Sequence, residues 1–371
     1  MTFLVFFVRY DTVTYMEKVG DTRVTYGPLI LTPEEIERRF PLDEQATEVV
    51  FQGRRDVEAI LRGEDTRFVV IVGPCSVHDP VAALEYARKL ALFRKKFKDR
   101  LNIIMRVYFE KPRTATGWKG FINDPDRDGS CDINKGLLEA RKLIIEILRL
   151  GLPIATEFLD PLVPQFIGDL VTWGAVGART TESQTHREMV SGLSMPVGFK
   201  NGTNGDLSIA INAIKASMAP HSFMGIDHDG RATVCNGQGN PWTHLILRGG
   251  FREGKYYPNY RPDHIIKALK ELSDAGIAPR LIVDCSHANA GGNYHMQSEP
   301  LRYALAVRKP LGRVVEPGVV GVMLESFLEE GKQSIDAVPL VYGQSITDAC
   351  IGWKETEALL EEAYNTLGRN P

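Results

Sequence analysis

The chain has 371 residues, 43% hydrophobic and 25% charged, the profile of a folded protein that can bury a large core without disulfides. Its 44 basic against 47 acidic residues leave a net charge of −3, which argues against a nucleic-acid partner but leaves room for a local basic pocket. Five cysteines (Cys75, Cys131, Cys235, Cys285 and Cys350) with no CxxC pair speak against a zinc ribbon or thioredoxin-type site and read as reduced thiols of a cytoplasmic protein.

Residues 3–8 form an apolar run too short to span a bilayer and without the basic flank of a signal peptide, so no membrane partner is expected. A strand or an upstream extension is the simpler reading, with Met16 as an alternative start that would leave residues 1–15 outside the native protein. Residues 1–67 read as an N-terminal extension carrying two helices, one opened by Thr32-Pro33-Glu34-Glu35 and one over 43–62. From residue 68 to 371, short β-rich apolar runs alternate with amphipathic stretches, which predicts parallel βαβ units. Strands are expected at 68–72, 102–108, 153–158, 170–178, 196–199, 244–247, 281–285 and 319–324. The helices between and after them are expected at 82–97, 136–149, 164–169, 181–191, 207–219, 263–275, 299–306 and 347–366. Asp79-Pro80 supplies a cap and a first-turn proline, Gly151 a C-terminal stop, and Thr347-Asp348 the start of the last helix. The predicted fold is a (β/α)8 barrel with an N-terminal extension. Residues 220–241, with Asp227-His228-Asp229-Gly230 between β-prone runs, form a hairpin insertion before the sixth strand.

Barrel enzymes work at the C-terminal strand ends. Each predicted end here carries a charged or metal-competent side chain: Cys75, Arg106 with Lys111 and Arg113, Glu157, Arg179, Lys200, Arg248, Asp284 with His287, and Glu325. Six of these are cations, which on one mouth would repel unless an anion binds; guanidinium forks suit phosphate and carboxylate oxygens. Cys75, His287, Glu325 and Asp348 combine a thiol, an imidazole and two carboxylates, a donor set for a divalent transition metal (manganese, iron, cobalt or zinc). They come from strands one, seven and eight and the loop after, which are neighbours only if strand eight pairs with strand one. His78 and Asp284 compete as ligands or as partners behind them. Gly177, Gly198, Gly202, Gly249 and Gly250 would let the backbone approach a ligand, and no GxGxxG or Walker A pattern supports a nucleotide.

Several segments together resemble class I 3-deoxy-D-arabino-heptulosonate-7-phosphate (DAHP) synthases of the feedback-regulated microbial type. They are Gly73-Pro74-Cys75-Ser76, Arg106 to Thr114, Gly117-Trp118-Lys119-Gly120, Gly177 to Gln184, Gly198 to Thr203, Leu247-Arg248-Gly249-Gly250, Asp284 to Asn289, and Ser345 to Trp353. The resemblance implies metal-dependent condensation of phosphoenolpyruvate with erythrose 4-phosphate to DAHP and phosphate, the first step of the shikimate route to aromatic amino acids. It implies Cys75, His287, Glu325 and Asp348 as metal ligands, and Arg106, Glu157, Arg179, Lys200 and Arg248 around phosphoenolpyruvate. Lys111, Pro112, Arg113 and Thr114 become the erythrose 4-phosphate loop. Metal and Lys111 would polarise the aldehyde, and Glu157 would order the attacking water. The extension and the 220–241 insertion correspond to the site of an aromatic amino acid effector, and Gly225, where phenylalanine-sensitive relatives carry serine, leans the effector to tyrosine. A homodimer or homotetramer is implied. The chain departs from its relatives at Ala115-Thr116 and at Ala290-Gly291-Gly292-Asn293, where relatives often have Ser and Lys. Three rivals remain: a 3-deoxy-octulosonate 8-phosphate synthase, which the Lys-Pro-Arg-Thr loop and long insertions oppose, a Schiff-base aldolase using Lys200, and a non-catalytic amino acid sensor.

Overall fold

The computed structural model describes residues 22–308 and 318–368; the expectations for residues 3–8 and for a start at Met16 lie outside them. Contacts divide the chain into a unit of residues 1–31 and a unit of residues 32–371. In the first, residues 22–31 form neither helix nor strand.

Helix α1 (Pro33–Arg39) starts as its sequence dictates. Thr32 Oγ accepts from the Glu35 N–H while the Glu35 carboxylate accepts from the Thr32 N–H, a reciprocal capping box. Helix α2 (Glu44–Arg62) is capped by Asp43 and stopped by Gly63 in the left-handed region. Then comes the repeat: β1 (Phe68–Gly73), α3 (Pro80–Phe97), β2 (Leu101–Arg106), α4 (Ile133–Arg149), β3 (Ile154–Glu157), α5 (Pro164–Ile167), β4 (Trp173–Val176), α6 (Gln184–Ser191), β5 (Val197–Lys200) and α7 (Ser208–Met218). The hairpin β6 (His221–Ile226) and β7 (Ala232–Gly237) interrupts it. The chain continues through β8 (Thr243–Leu247), a second hairpin of β9 (Gly250–Arg252) and β10 (Lys255–Tyr257), α8 (Pro262–Asp274), β11 (Leu281–Asp284), α9 (Ser298–Arg308), β12 (Val319–Glu325) and α10 (Trp353–Leu367).

Eight parallel strands close in the order β1-β12-β11-β8-β5-β4-β3-β2. The expected (β/α)8 barrel and its first-to-last pairing are therefore present. The barrel strands are buried along their whole length, as parallel strands covered by helices must be. Ile71, Ile104, Ala155, Trp173, Ile246, Ile282 and Met323 fill the interior, and Val57, Ile60 and Leu61 of α2 join the same core. The tip of the β6–β7 hairpin meets the start of α1, where the Glu34 N–H donates to His228 O at 3.0 Å. Among the described residues no helix is long and apolar enough to cross a membrane.

Several local expectations fail: the second strand, expected over 102–108, ends at Arg106, and the helix expected from 181 starts at Gln184. The fourth strand starts at Trp173 rather than 170, because α5 passes into a 3-10 turn over Gly168–Leu170. The last helix starts at Trp353, not at Thr347-Asp348. Residues 345–351 are instead held as a loop against the barrel top, with backbone exchange between Gly331 and Cys350 and the Ile351 N–H on Glu325 O. The β9–β10 hairpin lay in what reads as loop, since its strands have three residues each.

Candidate active site

Closure of β12 against β1 sets Glu325 opposite Gly73. Cys75 follows two residues on, buried, and the 345–351 loop swings Asp348 over it. Cys75 Sγ lies 3.3 Å from Asp348 Oδ2 and receives the Asp348 N–H at 3.4 Å. Ligand atoms of Cys75, Glu325 and Asp348 all lie within 4.8 Å of one another. His287 stands beside this set rather than in it. Its Nε2 is 3.9 Å from Glu325 Oε1, while Nδ1 sits 2.7 Å from Ser286 Oγ and 2.9 Å from Asp284 Oδ2. His287 has φ 55°, a left-handed conformation that a non-glycine residue adopts at a cost of about 1 kcal/mol or more. Of the two competing ligands, Asp284 thus backs the imidazole, and His78 is not in the cluster.

The donor set suits a borderline divalent metal: one sulfur, two carboxylates and an imidazole nitrogen facing them, with a carboxylate behind the imidazole. Burial, together with the Glu325 charge, pushes the Cys75 thiol up to about 12, with Lys111 opposing. Burial alone would raise Asp348, but Lys111 and His287 hold it down to about 2. A thiol so disfavoured as an anion needs a strong local positive charge to act as thiolate.

The cations split into two groups. Arg106 is fully buried, stacked over Tyr108 with its guanidinium carbon 3.5 Å from the ring centroid. It donates to Pro74 O at 3.1 Å, Cys75 O at 3.2 Å and Glu325 Oε1 at 2.8 Å. Lys200 Nζ lies 3.1 Å from Glu157 and 3.6 Å from Asp284. Burial disfavours the charge on Glu157, yet Lys200, Lys111 and Arg106 hold its carboxyl below the ordinary value. Gly177 leaves it room, since a Cβ there would stand 2.6 Å from its Oε1. Lys111 Nζ is 3.0 Å from Cys75 Sγ and 3.8 Å from Asp348 Oδ2.

The second group lines the same cavity, of about 640 Å³, without a carboxylate within 4 Å among the described residues: Arg113, Arg179, Arg248 and Lys332. Arg179 braces the loop before it, donating to Pro112 O at 3.4 Å and Thr114 Oγ1 at 3.2 Å. Burial lowers the pKa of Arg248. Deep cations are balanced by protein acids, and outer cations have no such partner, which is how a mouth for anionic substrates is built.

All the sequence-nominated residues of the strand ends and of the 111–114 loop therefore face one cavity or its floor. Gly225 is elsewhere, on β6 opposite Thr233, with its α-carbon turned toward Cys235, whose Sγ a Cβ would meet at 2.7 Å. Sequence reasoning missed Tyr108 beneath Arg106, Lys332, and Phe251 with Tyr256 on the second hairpin, all on or under the cavity wall. Tyr108 stands inside the Arg106 to Thr114 segment with no role read for it. Glu110 follows the second strand beside Lys111; its carboxyl oxygens accept the Leu159 and Asp160 N–H groups at 3.3 and 3.1 Å, tying the loop after β2 to the end of β3. All five cysteines are free.

Fold and mouth define a class, a (β/α)8 enzyme for small anionic substrates. A sequence profile described as the DAHP synthetase I family matches residues 39–361. The chain is 47% identical over 353 residues to the Tyr-sensitive phospho-2-dehydro-3-deoxyheptonate aldolase of Escherichia coli (strain K12), covering 95% of this chain and 97% of that one. It is 48% identical over 348 residues to the Phe-sensitive enzyme of the same strain, covering 94% and 97%. A solved phospho-2-dehydro-3-deoxyheptonate aldolase from Francisella tularensis SCHU S4 superposes with a TM-score of 0.88 at 43% identity, covering 93% of this chain and 98% of that one. The chain belongs to the DAHP synthetase I family and is an enzyme of the 3-deoxy-7-phosphoheptulonate synthase type.

Proposed function

We propose that this enzyme condenses phosphoenolpyruvate with erythrose 4-phosphate in a metal-dependent reaction under feedback control by tyrosine. The observation that carries the reading is the meeting of Cys75, Glu325 and Asp348 within 4.8 Å, with His287 beside them, under a wall of unpaired cations. These four residues would hold a divalent metal, which supplies Lewis-acid polarisation of a substrate oxygen when bound.

The chain's own groups do the rest. Arg248 and Arg179 hold the phosphate and carboxylate of phosphoenolpyruvate, with Lys200 as a charge anchored by Glu157 and Asp284 and Arg106 shaping the floor. Arg113 and Thr114 take the phosphate of erythrose 4-phosphate and set its aldehyde against C3 of the enol. As C3 attacks, the Lys111 ammonium donates toward the oxygen that becomes an alkoxide. Glu157, held ionised by Lys200, orients water for addition at C2, after which the C–O bond to phosphate breaks and phosphate leaves. Fixing two anions in attack geometry is itself worth several kcal/mol. Because Lys200 Nζ is engaged with two carboxylates, the Schiff-base alternative has no support.

For regulation, the support is the contact between α1 and the β6–β7 hairpin that carries Gly225, together with the sensitivities named for the relatives. A homodimer or homotetramer, the residue 1–67 extension and the 220–241 insertion as its regulatory parts, and a cytoplasmic setting complete the reading. The test is product formation after EDTA treatment, with metals added back, in wild type and Cys75→Ala. Loss and recovery in wild type, without recovery in the variant, is expected. An unchanged rate in both overturns the metal assignment, and light scattering reads the assembly.

A further inference from the structure

The β9–β10 hairpin lies outside the strand–helix repeat, yet it stands on the cavity wall. Phe251 pairs with Tyr256 across it. Glu253 and Gly254 turn the chain with φ of 51° and 74°, the left-handed pair that suits a tight two-residue hairpin. Its base is fixed. The Phe251 N–H donates to Thr203 O at 2.8 Å, and a Cβ on Gly250 would come within 2.5 Å of the Asn204–Gly205 backbone. Phe251 and Tyr256 have ring centroids 4.9 Å apart, both line the cavity, and each is 48% exposed. Two adjacent aromatic rings on the wall of a polar cavity, one with a hydroxyl, are a surface that a bound ligand can cover.

Tyr256 also has a matched neighbour. Its hydroxyl lies over Gly292, where a Cβ would approach it to 2.9 Å. The stretch Ala290-Gly291-Gly292 carries no long side chain. A loop without long side chains thus leaves the space that the tyrosine fills.

Exposure groups the lining of this cavity. Arg106, Lys200 and Glu157 are buried, whereas Arg113 and Thr114 of the 111–114 loop are exposed, as are Phe251 and Tyr256 on the same cavity. A phenol hydroxyl both donates and accepts, which suits neutral sugar hydroxyls better than a lysine, which only donates.

We propose that Tyr256, seated over Gly292 on the β9–β10 hairpin, is a positioning residue that hydrogen-bonds the hydroxyls of the phosphorylated hydroxy-aldehyde substrate at the outer mouth, its ring held by Phe251. This rests on the function proposed above. The experiment is steady-state kinetics on the full-length metal-loaded enzyme for wild type, Tyr256→Phe, Tyr256→Ala, Gly292→Ala and the Gly292→Ala/Tyr256→Ala pair. Tyr256→Phe raises KM for erythrose 4-phosphate roughly three- to tenfold, the worth of one neutral hydrogen bond. KM for phosphoenolpyruvate and kcat stay within about twofold, the split a merely structural role would not produce. Gly292→Ala, which crowds the hydroxyl and also strains a backbone at φ 80°, raises the same KM in the wild-type background, and the part of that rise due to the hydroxyl is absent in Tyr256→Ala. An erythrose 4-phosphate KM unmoved in Tyr256→Phe, a parallel rise in both KM values, or full additivity overturns the assignment. A wild-type enzyme that makes no DAHP overturns instead the function it rests on, and that is read before any variant is compared.

Discussion

Replacing Arg106 by leucine tests whether the floor of the mouth is held by one guanidinium. Arg106 is 1% exposed and Glu325, its partner at 2.8 Å, is 2% exposed, so neither charge has solvent to fall back on. Removing one member of a buried pair costs about 3–5 kcal/mol, because the other stays buried and uncompensated. The carbonyls of Pro74 and Cys75 also lose donors at 3.1 and 3.2 Å, each worth about 1–3 kcal/mol if water does not replace the arginine. The terms overlap, and about 5 kcal/mol is expected, a large part of the stability of a single domain. At about 2 °C per kcal/mol for a large domain, that is a fall in Tm on the order of 10 °C. Arg106→Lys keeps the charge and loses most of the fork, and falls between. The assay is thermal unfolding followed by circular dichroism in EDTA, so that no added cation compensates Glu325. A loss below about 1 kcal/mol in Arg106→Leu refutes the reasoning, since Glu325 would then be neutralised by something other than Arg106.

Glu110 is pushed up to about 8 from 4.5, chiefly by burial and against the pull of the Asp160 and Leu159 N–H groups. The folded state then holds a proton the unfolded chain releases, so this stability is fully present below pH 4.5 and is lost as pH rises through 8. Glu110→Gln, neutral throughout, should flatten the dependence of urea midpoints between pH 5 and 8.5; parallel wild-type and mutant profiles would contradict the burial argument. Asp348→Asn should weaken manganese binding at least tenfold in a direct titration, since a charged ligand becomes neutral; unchanged affinity would remove Asp348 from the site. Gly225→Ser should shift inhibition from tyrosine toward phenylalanine and displace the Cys235 thiol; inhibition still by tyrosine alone counts against Gly225 as the selector.

Much of this was readable before any coordinates. Continuous apolar runs such as Phe68–Val72 and Val319–Leu324 read as strands buried on both faces, and their alternation with amphipathic helices pointed to parallel βαβ units of the kind a barrel closes. The strand ends then named the candidate residues, because side chains placed after such strands gather at one rim. Local chemistry likewise marked the caps at Thr32 and Asp79 and the turn over Asp227–Gly230.

What needed the tertiary structure was everything that depends on distance rather than order. No spacing tells that Asp348 lies on a loop folded back over Cys75 instead of in a helix, because the hydrogen bonds that hold it come from Gly331 and Glu325, far away in the chain. Nor does residue type separate Arg106 and Lys200, already paired with acids, from Arg113 and Arg248, which are not. Composition and periodicity report what each residue prefers, so the amino-acid order determined the barrel and its rim. Charge compensation, and the seat of Tyr256 over Gly292, arise from contacts between segments remote in sequence, and only the closed fold decided them.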